Sequence, residues 1–153
     1  MTTKSLERSK AVTELLNSTL SSLNSVVPME YQTMKPQVMN QGFHLSFGVL
    51  IGITGDIKGK LVLTGKPTTF GSIGETMFGM ALEGDMLISF SGELGNMIAG
   101  GLSTSLSEGG VDINITAPMM MQGNTTLSGF KQALEVPITF DRAGEMNVYL
   151  LLD

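Results

Sequence analysis

From Phe43 to Ile53 every second residue is large and apolar: Phe43, Leu45, Phe47, Val49, Ile51 and Ile53. Side chains of an extended chain point alternately to its two faces, so this run predicts a long strand that buries its odd face. Such a strand cannot satisfy its backbone groups or cover its apolar face alone. It needs partner strands at its sides and a second layer on top. The first partner follows directly: Gly55 and Asp56 turn the chain, and Lys60 to Thr64 returns as the second strand of a hairpin.

The covering layer has to be helical, and three segments carry the period for it. Val12, Leu15, Leu16, Leu20, Leu23, Val26 and Val27 mark a helix from Ser5 to Val27, stopped by Pro28. Pro67 opens a second, with Phe70, Ile73, Met77 and Phe78 as its apolar face and Gly79 as its end. Asp85 is the expected N-cap of a third, closed by Gly109 and Gly110. Met29 to Gln41 carries Pro36 among mixed polar residues and reads as a loop or a weak strand. After the third helix, Val111, Ile113, Ile115 and Ala117 alternate toward Pro118, and Leu134, Val136, Ile138 and Phe140 alternate again. Met146 to Leu152 makes the last strand after a turn from Asp141 to Glu145. Connections between successive strands are mostly of hairpin length. The expected class is therefore α/β, with helices layered on one face of a largely antiparallel sheet. No repeat or linker divides the chain, so residues 1–153 are expected to form a single domain.

Charge and residue usage exclude several functions. A formal net charge of -5, with nine Lys and Arg and no basic run, argues against a nucleic-acid footprint or an anionic membrane surface. The N-terminal stretch lacks a signal core and no apolar run can span a bilayer, which makes the cytoplasm the expected compartment. The absence of cysteine removes disulfides, thiolate catalysis and cysteine-ligated zinc. His44, the single histidine, lies on the even side of the long strand without partners for a catalytic triad or a metal site. Gly65-Lys66 resembles a phosphate loop only superficially, since Pro67 stands where Ser or Thr is required. Glu83 and Asp85 lack calcium-loop spacing. The chain is thus expected to bind no metal and no cofactor of its own. Twelve methionines, three of them at Met119 to Met121, read as adaptable core filler in preference to a contact surface.

What remains is the third helix, whose two sides differ in kind. At about 100° per residue, Leu87, Phe90, Leu94, Met97, Ile98 and Leu102 gather on one face, and Ser89, Glu93, Asn96, Gly100 and Ser103 form a narrow stripe opposite. Gly92, Gly95, Gly100 and Gly101 each cost a helix about 1 kcal/mol relative to Ala, a loss that close packing offsets for Gly101 on the apolar face. Gly100 on the stripe leaves the Glu93 carboxylate and the Asn96 amide prominent and open to a partner protein. Three apart on a helix, these two side chains project side by side. An amide can orient a water molecule, and a carboxylate can grip a cation. Such a pair suffices to position water against an already activated phosphoryl group, although the same spacing also suits an ordinary polar helix face.

Ser89, Glu93, Asn96 and, further on, Pro118 resemble the motif of the CheC/CheX family of chemotaxis phosphatases, with CheX the nearer branch because one copy of the motif is present. The likeness extends back through Gly55-Asp56-Ile57-Lys58-Gly59-Lys60-Leu61-Val62-Leu63 to Met77-Phe78-Gly79, and forward to Ala117-Pro118. The Asn96-to-Pro118 interval is one residue shorter than the usual pattern. The resemblance implies a CheC-like fold and hydrolysis of the aspartyl phosphate of a CheY-type response regulator. Asn96 would orient the attacking water and Glu93 would pair with the regulator's active-site Lys, while Ser89, Gly100, Ser103 and Pro118 would meet the partner. The Mg²⁺ would belong to the regulator. A homodimer joined through sheet edges is implied as well. The alternative is a non-enzymatic module of the flagellar-switch type that binds the phosphorylated regulator, and a third option is a domain serving another response regulator.

Overall fold

The computed structural model describes the backbone of residues 3–153 and the side chains from residue 10 onward. Helix α1 spans Thr3–Val26 and is followed by two short strands, β1 at Tyr31–Thr33 and β2 at Gln37–Met39. The long hairpin is β3, Phe43–Gly55, with β4, Gly59–Gly65. Helices α2, Pro67–Phe78, and α3, Gly84–Glu108, come next, and β5 at Ile113–Ile115, β6 at Met119–Leu127, β7 at Gln132–Phe140 and β8 at Gly144–Leu152 complete the chain. The strands form one sheet in the order β1-β7-β8-β4-β3-β5, with β2 also on β7 and β6 also on β3. Every pairing is antiparallel. This is the expected helix-on-sheet layering.

The main core lies between the sheet and the helices. Val49, Ile51 and Ile53 of β3, Leu61 and Leu63 of β4, and Val148 and Leu150 of β8 meet Phe70 and Ile73 of α2 and Leu94, Ile98 and Leu102 of α3. Helix α1 packs on α3. Their contact includes polar links: Ser22 donates to the Ile98 carbonyl at 2.6 Å, and Ser105 to Ser18 at 3.0 Å.

Four details differ from the sequence reading, each for a local reason. The odd residues of β3 from Phe43 to Ile53 are all buried, but not on one side. Pairing with β6 slips between Leu45 and Phe47. Phe43 and Leu45 accordingly join Val62, Met121, Tyr149 and Leu151 in a second cluster, separate from Phe47 and Val49. In that cluster the Phe43 and Tyr149 rings stack at 3.9 Å. Burial there, together with a hydrogen bond to Glu135 across the β7–β8 ladder, raises the Tyr149 pKa well above its ordinary value. Second, Met119–Leu127 is a full strand. Its Gln-Gly-Asn-Thr-Thr centre hides the alternation because β6 is mostly exposed.

Third, Phe78 is not part of the buried face of α2. Phe70 and Ile73 are fully buried, whereas Phe78 is 60% exposed. It is the last residue before Gly79, whose left-handed φ of 74° closes the helix with its N–H donating to the Glu75 carbonyl at 2.7 Å. Fourth, Asp85 does not cap α3. Glu83 takes the N-cap position without a side-chain hydrogen bond, and Asp85 lies in the first turn, where its charge still favours the helix dipole.

The Met29-to-Gln41 segment resolves into β1 and β2, both on β7. Their break explains how a proline sits within β7. Pro137 falls between the residues paired to β2 and those paired to β1, where no ladder donor is needed on that side, and its carbonyl accepts from Met34 N–H at 2.8 Å.

Candidate functional site

Helix α3 is held hard against the sheet by the residues that lack side chains. A Cβ on Gly95 would lie 2.8 Å from Val49 Cγ1 and 3.2 Å from Ile51 Cδ1, and one on Gly101 would strike Ser22 of α1. Both close approaches require glycine, and they offset its cost to the helix. Leu94, Ile98 and Leu102 retain no exposed surface.

The opposite stripe is open. Ser89 and Glu93 are exposed, and Asn96, Gly100 and Ser103 are half-buried. A Cβ on Gly100 would meet nothing within 4 Å. Neither the Glu93 carboxylate nor the Asn96 amide hydrogen-bonds or ion-pairs with another described residue. Both groups are therefore available to an incoming partner. Pro118, far off in sequence, is brought to the same place: its ring lies 3.8 Å from where a Gly92 Cβ would stand, with Met120 Sδ at the same distance. Gly92 and Asn96 are four apart, so the Pro118–Met120 segment borders α3 one turn before Asn96. Chemically, this is a carboxylate and an amide on a rigid helix, bordered by a proline. It can grip a cation and orient a water molecule, and it supplies no nucleophile of its own.

The other titratable candidates lie elsewhere. His44 is exposed on β3, with Nδ1 3.2 Å from Thr126 Oγ1. Lys66 precedes α2 in extended conformation, so Gly65-Lys66 is a strand end and helix start. Among the described residues no three His, Cys, Asp or Glu side chains converge to hold a metal ion, and no helix is long and apolar enough to cross a membrane.

The profile of the family described as Chemotaxis phosphatase CheX matches residues 47–141. The chain belongs to the CheX family of chemotaxis phosphatases. The matched stretch begins in β3 and ends just after β7, and it contains all of α3 and Pro118. The chain is 29% identical, over 149 residues, to the CheY-P phosphatase CheX of Thermotoga maritima, covering 92% of this chain and 94% of that relative. A CheC-like superfamily protein from Shewanella sp. PV-4 superposes with a TM-score of 0.79 at 24% identity, over 92% of this chain and 97% of that one. A chain of a CheX–CheY–BeF3–Mg²⁺ complex from Borrelia burgdorferi gives a TM-score of 0.74 at 20% identity, over 92% of this chain and 96% of that one. These two likenesses show the CheX and CheC-like fold.

One feature beside the stripe escaped the sequence reading. Phe78, Met80 and Met86 are each more than half exposed, and with Leu82 and Phe90 they line a surface cavity of about 620 Å³ that also borders Asp85, Ser89 and Glu93. The available signal was two methionines, Met80 and Met86, in and beside a short acidic link where polar residues are the rule.

Proposed function

We propose that this chain hydrolyses the aspartyl phosphate of a CheY-type response regulator, with Glu93 and Asn96 as its catalytic residues. The observation that carries the reading is the Glu93–Asn96 pair on the open stripe of α3, without side-chain partners among the described residues and near Pro118, in a chain of the CheX family. Asn96 holds a water molecule in line with the phosphorus. The water oxygen bonds to phosphorus as the bond from phosphorus to the aspartyl oxygen breaks. The products are the free carboxylate, inorganic phosphate and a proton. Glu93 pairs with the regulator's active-site Lys and so fixes the two proteins in register. Mg²⁺ is carried by the regulator and offsets phosphoryl charge there. Ser89, Gly100, Ser103 and Pro118 form the surface around the pair. Little else is needed, because phosphoryl transfer depends on positioning and electrostatics.

The same reading makes residues 1–153 one catalytic domain acting in the cytoplasm. It also makes the active form a homodimer joined through sheet edges, for which β1–β2 on one side and β5–β6 on the other are the candidates.

The test is the decay of phosphate on a panel of labelled CheY-type regulators with and without this chain. Accelerated decay on at least one regulator is expected, weakened in both KM and kcat by Glu93→Ala, since that carboxylate acts in docking as well as in turnover. A chain that binds a phosphorylated regulator and accelerates none of them is a switch-type binding module instead.

A further inference from the structure

Continued toward its N-terminus, the stripe of α3 changes character. Asn96, Glu93, Ser89 and Met86 follow one another at helical spacings of three and four, so Met86 belongs to the same outward line two turns before Glu93. At 1.5 Å per residue these seven positions span roughly 10 Å. Met86 is 55% exposed, as is Met80, and Phe78 is 60% exposed. Three large apolar side chains thus crowd one spot at the junction of α2 and α3. They do not hang loosely: the Phe78 ring stands edge-on to Phe90 at 5.7 Å and 88°, and Phe90 and Leu82 floor the cavity between them. The shelf is preformed, which lowers the ordering cost of covering it.

Its rim identifies the occupant. Asp85 and Glu93 border the cavity, and no Lys or Arg among the described residues lines it. The surface that fits is apolar and carries a cation at one edge, set to reach Glu93. Any partner that seats a cation on Glu93 covers Met86 about 10 Å away, well inside the footprint of an ordinary protein interface. We propose that the Phe78–Met80–Met86 shelf is the apolar docking surface for the phosphorylated regulator, supplying most of the affinity while Glu93 sets the register and the Glu93–Asn96 pair supplies turnover. This inference rests on the reading of the chain as a regulator phosphatase. It divides the interface as interfaces generally divide, into an apolar anchor and a polar part that sets register.

The experiment places carboxylates on the shelf with the double variant Met80→Glu and Met86→Glu. Dephosphorylation kinetics are measured on a CheY-type regulator that the parent chain dephosphorylates, and calorimetry is run on the same regulator loaded with beryllofluoride and Mg²⁺. Expected is a rise in KM and in Kd of at least about tenfold, with kcat at saturating regulator within about twofold of the parent. Asn96→Ala gives the opposite split. If the double variant fails to melt like the parent, Met80→Ser, which lies in the link outside both helices, is used in its place and should raise KM about threefold. An unchanged KM and Kd, beside an active parent and an inactive Asn96→Ala, overturns the docking shelf and leaves the phosphatase reading standing. A parent active on no regulator in the panel overturns both. Sedimentation of the free protein covers the remaining occupant: if the substitutions change its oligomeric state and not its affinity for the regulator, the shelf binds a second copy and the proposal is wrong.

Discussion

Leu94 has no exposed surface, and its neighbour Glu93 reaches solvent without a partner among the described residues; one turn on, Ile98 is sealed while Asn96 is half-buried. Residues one or two positions apart on α3 thus do unlike work. The inner side is packed until glycine is required at Gly95 and Gly101. The outer side is left unfilled, so much so that a side chain at Gly100 would touch nothing. The contrast teaches that positional accuracy of the outer pair comes from the inner contacts. Among the described residues the Glu93 and Asn96 side chains have no hydrogen bonds to hold them, so the rigidity of the helix on Val49 and Ile51 has to serve in their place.

Substitutions that act on one side and not the other sharpen this division. The largest effect belongs to Leu94→Ala, which opens a cavity in the main core and should cost about 2–5 kcal/mol, read from denaturant melts. Turnover per folded molecule should change far less. Gly95→Ala is the case built to break the division, because it lies between the two outer residues yet faces the sheet. The new methyl meets the stiff Val49 side chain, so overpacking of about 1–3 kcal/mol outweighs the gain of about 1 kcal/mol in helix propensity. The shifted helix should also lower the dephosphorylation rate. A stabilised and fully active Gly95→Ala would show that α3 is not clamped as described.

A smaller effect is expected on the far face of the sheet, away from α3. The Tyr149 hydroxyl is buried and donates to Glu135, and its pKa is raised from the ordinary value of 10.0, first by burial and then by that carboxylate. A group whose folded pKa is raised contributes stability that is present below its unfolded value and is lost as pH climbs above it. The chain should therefore lose stability progressively above about pH 10. Tyr149→Phe should flatten that slope and cost about 1 kcal/mol at neutral pH through the lost hydrogen bond. Melting curves across the alkaline range, with tyrosinate absorbance as a second readout, check both. The smallest effect is that of Gly100→Ala, which has room for its methyl and should stabilise α3 by about 0.5–1 kcal/mol. Because it roughens the outer stripe, it should also raise KM for the regulator.

Much of this division was legible in the sequence because helices and strands have periods. Leu94, Ile98 and Leu102 separate from Glu93 and Asn96 by angle alone, and the Phe43-to-Ile53 alternation by itself demands a covering layer. What periodicity cannot convey is a change of phase or an element too exposed to show one. The slip between Leu45 and Phe47 moved Phe43 and Leu45, two of six residues on an apparently uniform strand face, into a second cluster, and β6 hid behind a polar, glycine-containing centre. Phe78 was misassigned for a related reason: period places it near the inner face of α2, but the helix ends there and the left-handed Gly79 turns the chain away. Pro118 and Gly92 are 26 positions apart by sequence number, and their contact arises only from the path of the chain through β5.

The central claim, that the Glu93 and Asn96 side chains carry function at almost no cost to stability, is tested most directly by Asn96→Ala measured in two ways on one preparation. Thermal melting should shift by no more than about 0.5 kcal/mol, since a half-buried side chain without hydrogen-bond partners among the described residues is replaced by a better helix former. Accelerated decay of the phosphorylated regulator should fall by about 10²–10³, the scale for losing one group that acts only in the transition state, with regulator binding largely retained. A variant that keeps the parent's turnover while the parent is active would contradict the account, and so would one that loses activity only because it has lost its fold.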